Sequence, residues 1–149
     1  MFILPVFIFS SIFSGSPQTL DTSELIIKTA DSEIAYEAEV ALTDEQKRTG
    51  LMYRKQMAEN HGMVFYNETP HRMVMWMKNT YIPLDMIFTD KDGEIVCIFE
   101  NTTPHSLEHL ACDEDVALTL ELNAGQVNKN GIKLGDKIIH NLLKNTADE

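Results

Sequence analysis

The chain has few cations and few cysteines. Against 23 Asp and Glu it carries 12 Lys and Arg, a formal net charge of −11 over 149 residues. Affinity for a phosphate backbone is largely counterion release by Lys and Arg, so this deficit argues against a nucleic-acid partner. Self-repulsion favours solubility and slows approach to anionic membranes. No uninterrupted apolar run reaches the roughly 20 residues that a bilayer span needs. The sequence contains no CxxC, P-loop, dinucleotide fingerprint or nucleophile elbow. Dithiol, nucleotide-dependent and serine-hydrolase chemistry therefore have no local signature. What is present is ordinary in proportion. Hydrophobic residues make up 44% and charged residues 23%, the profile of one globular domain with enough apolar material for a core.

Residues 2–13 are nearly all apolar and are followed by Ser14, Gly15 and Ser16. That is the length and ending of a signal peptide, although no Lys or Arg precedes the run. The expected organisation is a leader over 1–16, a linker over 17–24, a single β domain over 25–143 and a flexible tail over 144–149. A cut after Ser14 is the alternative, because Pro17 directly follows Ser16. No Cys follows the apolar run, so a lipoprotein anchor is not supported. The expected location is periplasmic or secreted, with no membrane span in the mature chain. An exported chain meets an oxidising space, where Cys97 and Cys112 are a candidate disulfide. A bridge would close a loop of about 15 residues and add ~3 kcal/mol if unstrained. The other reading is a core thiol and a loop thiol that never meet.

Along the chain, strand signals dominate. Leu25-Ile-Ile-Lys28 is a short apolar run, and Ile34, Tyr36, Ala38 and Val40 alternate with polar or small residues. Thr43-Asp-Glu-Gln46 has the form of a capping box, and Gly50 is a natural stop, so Asp44–Thr49 is predicted as a helix of under two turns. Gly62–Tyr66 and Arg72–Lys78 are predicted strands. Leu84–Thr89 and Glu94–Phe99 flank Asp90-Lys-Asp-Gly93, which has hairpin turn chemistry. Val116, Leu118, Leu120 and Leu122 form one apolar face of another strand, and Lys137–Leu143 is the last. Ala124–Asn130 is predicted as one helical turn, ended by Gly131. Many short strands with one or two short helices predict an all-β fold, a compact antiparallel barrel or a jelly-roll-like sandwich.

Several blocks resemble the domain of unknown function 192 family, also called uncharacterised protein family 0127. They are Thr49-Gly-Leu-Met-Tyr-Arg54, Gly62-Met-Val-Phe65, Trp76-Met-Lys-Asn-Thr-Tyr-Ile-Pro-Leu-Asp85, Leu120-Glu-Leu-Asn-Ala-Gly125 and Gly131-Ile-Lys-Leu-Gly-Asp136. The likeness runs from about Ile26 to Ile139. It implies a compact, mostly antiparallel β fold of jelly-roll or barrel type, often found in exported bacterial or archaeal proteins. It implies no activity.

Three chemistries have candidate residues. The first is ligand binding at an aromatic and polar cluster: Trp76, Lys78, Asn79, Thr80 and Asp85, with Arg54 and Glu121. The same types also build turns, with Asn79 and Thr80 bonded to backbone and Lys78 paired with Asp85. The second is glycoside hydrolysis by two of Asp85, Glu100 and Glu121, which depends on the separation of the carboxylates. Glu121 lies between Leu120 and Leu122, on the face opposite the apolar stripe, where solvent is its simplest destination. The third is Cu(I) binding by His71, Met73, Met75 and Met77, which share one face of a strand. Met in that pattern is also ordinary core filling. His105 and His109 have no third ligand in view. The leading expectation is a non-catalytic accessory protein of the cell envelope that needs no cofactor. Its partner would be a small molecule, a glycan or an envelope protein. The carbohydrate hydrolase and the periplasmic copper protein are the alternatives.

Overall fold

Alternation of apolar and polar residues builds the outer strands, and continuous apolar runs build the central ones. The computed structural model describes residues 15–143. The elements are β1 (Thr22–Lys28), β2 (Glu33–Ala41), α1 (Asp44–Thr49), β3 (His61–Met75), β4 (Leu84–Thr89), β5 (Ile95–Phe99), β6 (Leu110–Asn123), α2 (Gln126–Asn130) and β7 (Lys137–Ile139). The expected leader falls largely on residues 1–14 and the expected tail on 144–149, both outside the described residues.

The strands form one sheet in the order β5-β4-β6-β3-β2-β1-β7. All pairs are antiparallel except β2 with β3, which run parallel. The parallel pair arises because α1 and the loop after it carry the chain back across the sheet before β3 begins. The sheet curls until its two edges meet at the bridge pair Glu94 and Lys137. Ile95 N donates to Asp136 O at 2.8 Å, and Ile138 N to Gly93 O at 2.8 Å. The predicted all-β fold with two short helices is the fold observed.

The curl gives the sheet an inner and an outer face, and both are covered. Leu25, Val64, Ile87, Leu118, Leu120 and Leu122 pack on the inner face. Met63, Phe65, Met77, Leu84, Met86 and Phe88 pack on the outer face, with Leu51 from the segment after α1. Every residue of β4 is therefore buried. Gly62 is needed where β3 crosses β6, because a Cβ there would sit 2.8 Å from Glu121 O and 2.9 Å from Leu122 Cδ2.

Three boundaries differ from the expectation. β1 begins at Thr22, within the stretch read as linker, because Thr22 and Ser23 pair with Glu39 and Ala38. The two strands expected around Pro70 are one strand, β3, whose register against β6 shifts between Tyr66 and His71 and again between Arg72 and Val74. β7 ends at Ile139, and His140–Leu143 turns back through a bond from Leu143 N to His140 O at 2.9 Å.

The two cysteines meet. Cys97 of β5 and Cys112 of β6 form a disulfide with a Cα separation of 6.0 Å. It ties an edge strand to the part of β6 that extends beyond β4.

Candidate functional site

β6 places Glu121 on the outer face, between Met63 of β3 and Met86 of β4 in the sheet register. Its exposure is 4%, so the expectation that it points to solvent is corrected. A period of two puts Glu121 opposite the Leu stripe, but this sheet has no dry-versus-wet division, since loops and α1 cover its outer face. The Glu121 carboxyl has no hydrogen-bond or ion-pair partner among the described residues. Burial pushes its pKa up to about 8. A buried, unpartnered acid destabilises a fold and is usually retained for something other than stability.

Glu121 opens onto a cavity of about 370 Å³. Gly50, Leu51, Phe65 and Thr80 are the other buried residues lining it, and Met73 and Met75 form a half-buried wall. Trp76, Lys78 and Arg48 line its exposed rim, with Trp76 40% exposed. Lys78 places its ammonium 5.1 Å from the centre of the Trp76 ring, a cation–π contact. The Thr80 hydroxyl donates to Lys78 O at 3.1 Å, which fixes the turn carrying both.

Of the expected ligand cluster, Trp76, Lys78, Thr80 and Glu121 thus come together. Asn79, Asp85 and Arg54 do not line the cavity. Asn79 takes a left-handed conformation, with φ of 54°. It accepts from Tyr53 N at 2.9 Å and donates to the Tyr53 hydroxyl at 3.1 Å. Arg54 makes a two-toothed pair with Glu39 and also donates to Gln18 O at 2.6 Å. Burial pushes the Glu39 carboxyl up, but the bond and charge of Arg54 and the Leu20 amide outweigh it and hold the group below its usual range.

Asp85 is fully buried on the inner face, beside Leu122. Its Oδ1 accepts from Asn101 N at 2.9 Å, and its Oδ2 from Gly125 N at 3.0 Å and Val127 N at 2.9 Å. These bonds anchor the loop after β5 and the start of α2, where Gly125 has φ of 94°. The expected Lys78–Asp85 pair does not form. Nearby, Tyr36 donates to Gln126 Oε1 at 2.8 Å. Burial, then the charges of Asp85 and Glu59, push its pKa up to about 12.

This placement separates the candidate carboxylates: Glu121 and Glu100 line different cavities, and Asp85 lines neither of them. Asp85 and Glu121 lie on opposite faces of one sheet, and the Glu121 cavity is lined by neither Asp85 nor Glu100. Acid and base or nucleophile must flank one bond.

The copper stripe also divides. β3 ends at Met75. Met77 beyond it is buried, and its sulfur accepts from the Thr102 hydroxyl at 3.2 Å. His71 is exposed, with Nδ1 3.0 Å from Thr69 O. Met73 and Met75 line the cavity without His71 or Met77. The register shifts in β3 break the period of two on which the shared face depended. His105 packs against Tyr81, with ring centres 5.2 Å apart. Among the described residues no three His, Cys, Asp or Glu side chains are grouped to hold a metal.

Sequence reasoning missed Arg48, Phe65, Met73 and Met75 as cavity walls. Arg48 had one available signal: Lys47 and Arg48 are adjacent cations in a chain of net charge −11.

Fold and cavity define a small β domain with one curled sheet and an acid-floored recess on its outer face. The chain belongs to the domain of unknown function 192 family (DUF192), described as "Uncharacterized ACR", whose model matches residues 25–140. No curated protein matches it. Among solved structures it is similar to a candidate transcription regulator of Sinorhizobium meliloti 1021. That pair has 41% identity and a TM-score of 0.80, covering 83% of this chain and 97% of the other. It is also similar to a protein of unknown function from Novosphingobium aromaticivorans DSM 12444. There the identity is 29% and the TM-score 0.80, covering 85% of this chain and 94% of the other. Among the described residues no helix is long and apolar enough to cross a membrane.

Proposed function

We propose that this protein is an exported, non-catalytic accessory domain of the cell envelope that holds a small organic molecule in the outer-face cavity. One observation carries the reading: Glu121 is buried and unpartnered in a recess whose inner walls include Leu51, Phe65, Met73 and Met75. Ligand sites commonly combine an apolar wall with a few polar groups that fix orientation. The second acid of the lining, Asp44, is exposed in the first turn of α1, and the lining holds no His, Cys or Ser to serve as base or activated nucleophile.

Export is supported by the apolar segment 2–13 and by the Cys97–Cys112 disulfide, since such bonds persist in oxidising compartments. Transcription regulation, suggested for the Sinorhizobium protein, suits this chain poorly, because its charge of −11 opposes DNA.

Trp76 is the single tryptophan of the chain and lines the cavity, so its fluorescence reports on that site. Titration with a panel of glycans, cell-wall fragments, small organic acids and small amines should give a saturable change with at least one class. A silent panel, with no heat detected by calorimetry, rejects the reading. Amino-terminal sequencing of protein from the cell exterior or periplasm should find a start after Ser14 or Ser16; an uncut cytoplasmic chain rejects export.

A further inference from the structure

We infer that the occupant is a small amphipathic monocarboxylate, its apolar body between Phe65, Met75 and Trp76 and its carboxylate at Arg48 and Lys78. This rests on the ligand-binding reading above and names the class of ligand.

The argument begins with where the cations are not neutralised. Lys28, Arg54, Arg72, Lys91 and Lys129 each form an ion pair. Lys47, Arg48, Lys55, Lys78, Lys133 and Lys137 have no carboxylate partner among the described residues, and three of these, Lys47, Arg48 and Lys78, line the one cavity. Lys47, the third cation lining the cavity, donates to Asn67 Oδ1 at 3.3 Å. Asp44 and Glu121 are the anionic side chains of the lining. Three cations around one recess, in a chain with nearly twice as many acids as bases, form a local positive field in a negative molecule. Part of Lys47 and Arg48 is accounted for by α1, whose last turn they occupy. That does not account for Lys78, which comes from the turn after β3 and lines the same cavity.

The interior sets the second requirement. Between rim and floor the walls are Phe65, Met73 and Met75, which offer contact area and polarisable sulfur but no charge. A fully polar anion such as phosphate would leave that surface bare. An alkyl or aryl body of a few carbons would cover it.

The floor sets the third. Glu121 in its protonated form offers one hydroxyl donor, which suits an acceptor at the inner end of the ligand or an ordered water. An organic cation would instead have to pass Arg48, Lys47 and Lys78 to reach it. Like-charge approach of that kind is unfavourable.

The test uses the full chain and three compounds of one shape: octanoate, octanamide and octylammonium. Binding is read at pH 7 by calorimetry and by Trp76 fluorescence. Octanoate should bind most tightly, about tenfold ahead of octanamide, with octylammonium weakest. The double variant Arg48→Gln, Lys78→Gln should weaken octanoate about tenfold and leave octanamide unchanged. Both positions are exposed, so an unchanged melting temperature shows that the fold is intact. Octanamide or octylammonium binding as tightly as octanoate overturns the carboxylate assignment while the cavity keeps its ligand-binding role. Equal loss of all three in the double variant also overturns it. If none of the three binds, the carboxylate assignment fails alone when the wider panel finds another class, and together with the ligand-binding reading when that panel is silent.

Discussion

The Asp85 carboxylate accepts from the Val127 amide at 2.9 Å, and through that bond β4 holds the start of a helix 42 positions later. Two more backbone amides, Asn101 and Gly125, complete the set. A buried carboxylate with three such donors is stabilised without any cation. Two chain segments are placed by one side chain.

Replacing Asp85 should therefore damage the fold rather than a ligand site. Asp85→Ala leaves three buried or half-buried amides without an acceptor and should lower stability by about 3–5 kcal/mol, read as a shift in the urea midpoint. Asp85→Asn keeps one carbonyl acceptor and should lose less. A loss under about 1 kcal/mol for the alanine variant would show that water replaces the carboxylate freely.

Glu121 should make stability fall as pH rises. Its native pKa of about 8 lies above the ordinary 4.5, so the native state binds more protons than the unfolded chain between those values. Its contribution is whole below 4.5, declines through that window and levels off above about 8. Glu121→Gln removes the titration. The variant should exceed the parent by about 2–4 kcal/mol above pH 8 and match it in acid. Parallel stability curves for the two proteins from pH 5 to 9 would contradict a buried, unpartnered acid.

His140 should act in the opposite sense. The Leu142 amide donates to its Nδ1 at 3.3 Å, so Nε2 carries the proton and meets the Ser23 hydroxyl at 2.6 Å. Burial pushes its pKa below the ordinary 6.5. The unfolded chain then takes up the proton first, and stability is lost as pH drops below 6.5. Melting curves between pH 7 and 5 should be steeper for the parent than for His140→Gln. Identical slopes would mean that the ring ionises in place.

The Cys97–Cys112 bridge should be worth about 3 kcal/mol, the value expected for a loop of its length. Replacing both by Ala should lower the urea midpoint accordingly, and unreduced protein should resist alkylation. Ready alkylation of the native protein without reductant would show that the two thiols are free.

The local elements were legible because they rest on neighbours in sequence. Thr43 Oγ1 accepts from Gln46 N at 3.1 Å and Gln46 Oε1 accepts from Thr43 N at 3.1 Å, as the capping box predicted, and the helix ends at Gly50. The Leu stripe of β6 and the β4–β5 turn were equally plain. Trp76, Lys78 and Thr80 reach one cavity because they are close neighbours in sequence around one turn.

What failed had a common cause. Asp85 was placed with Lys78 because they are seven positions apart, yet β4 turns Asp85 to the inner face and its partners come from distant loops. Arg48 was overlooked because α1 explains it locally. The methionine stripe was read as a single face because a bulge inside a strand leaves no mark on alternation.

The sequence alone determined the strand-rich fold class, the capped helix and the likeness to the family, since each follows from residue types and spacings within a few positions. Tertiary structure decided what lies over the outer face of the sheet. Alternation records which side of a strand a residue takes, but not whether water or another segment waits there. Only the folding of α1 and the later loops onto that face made Glu121 a buried acid and gave the cavity its charged rim.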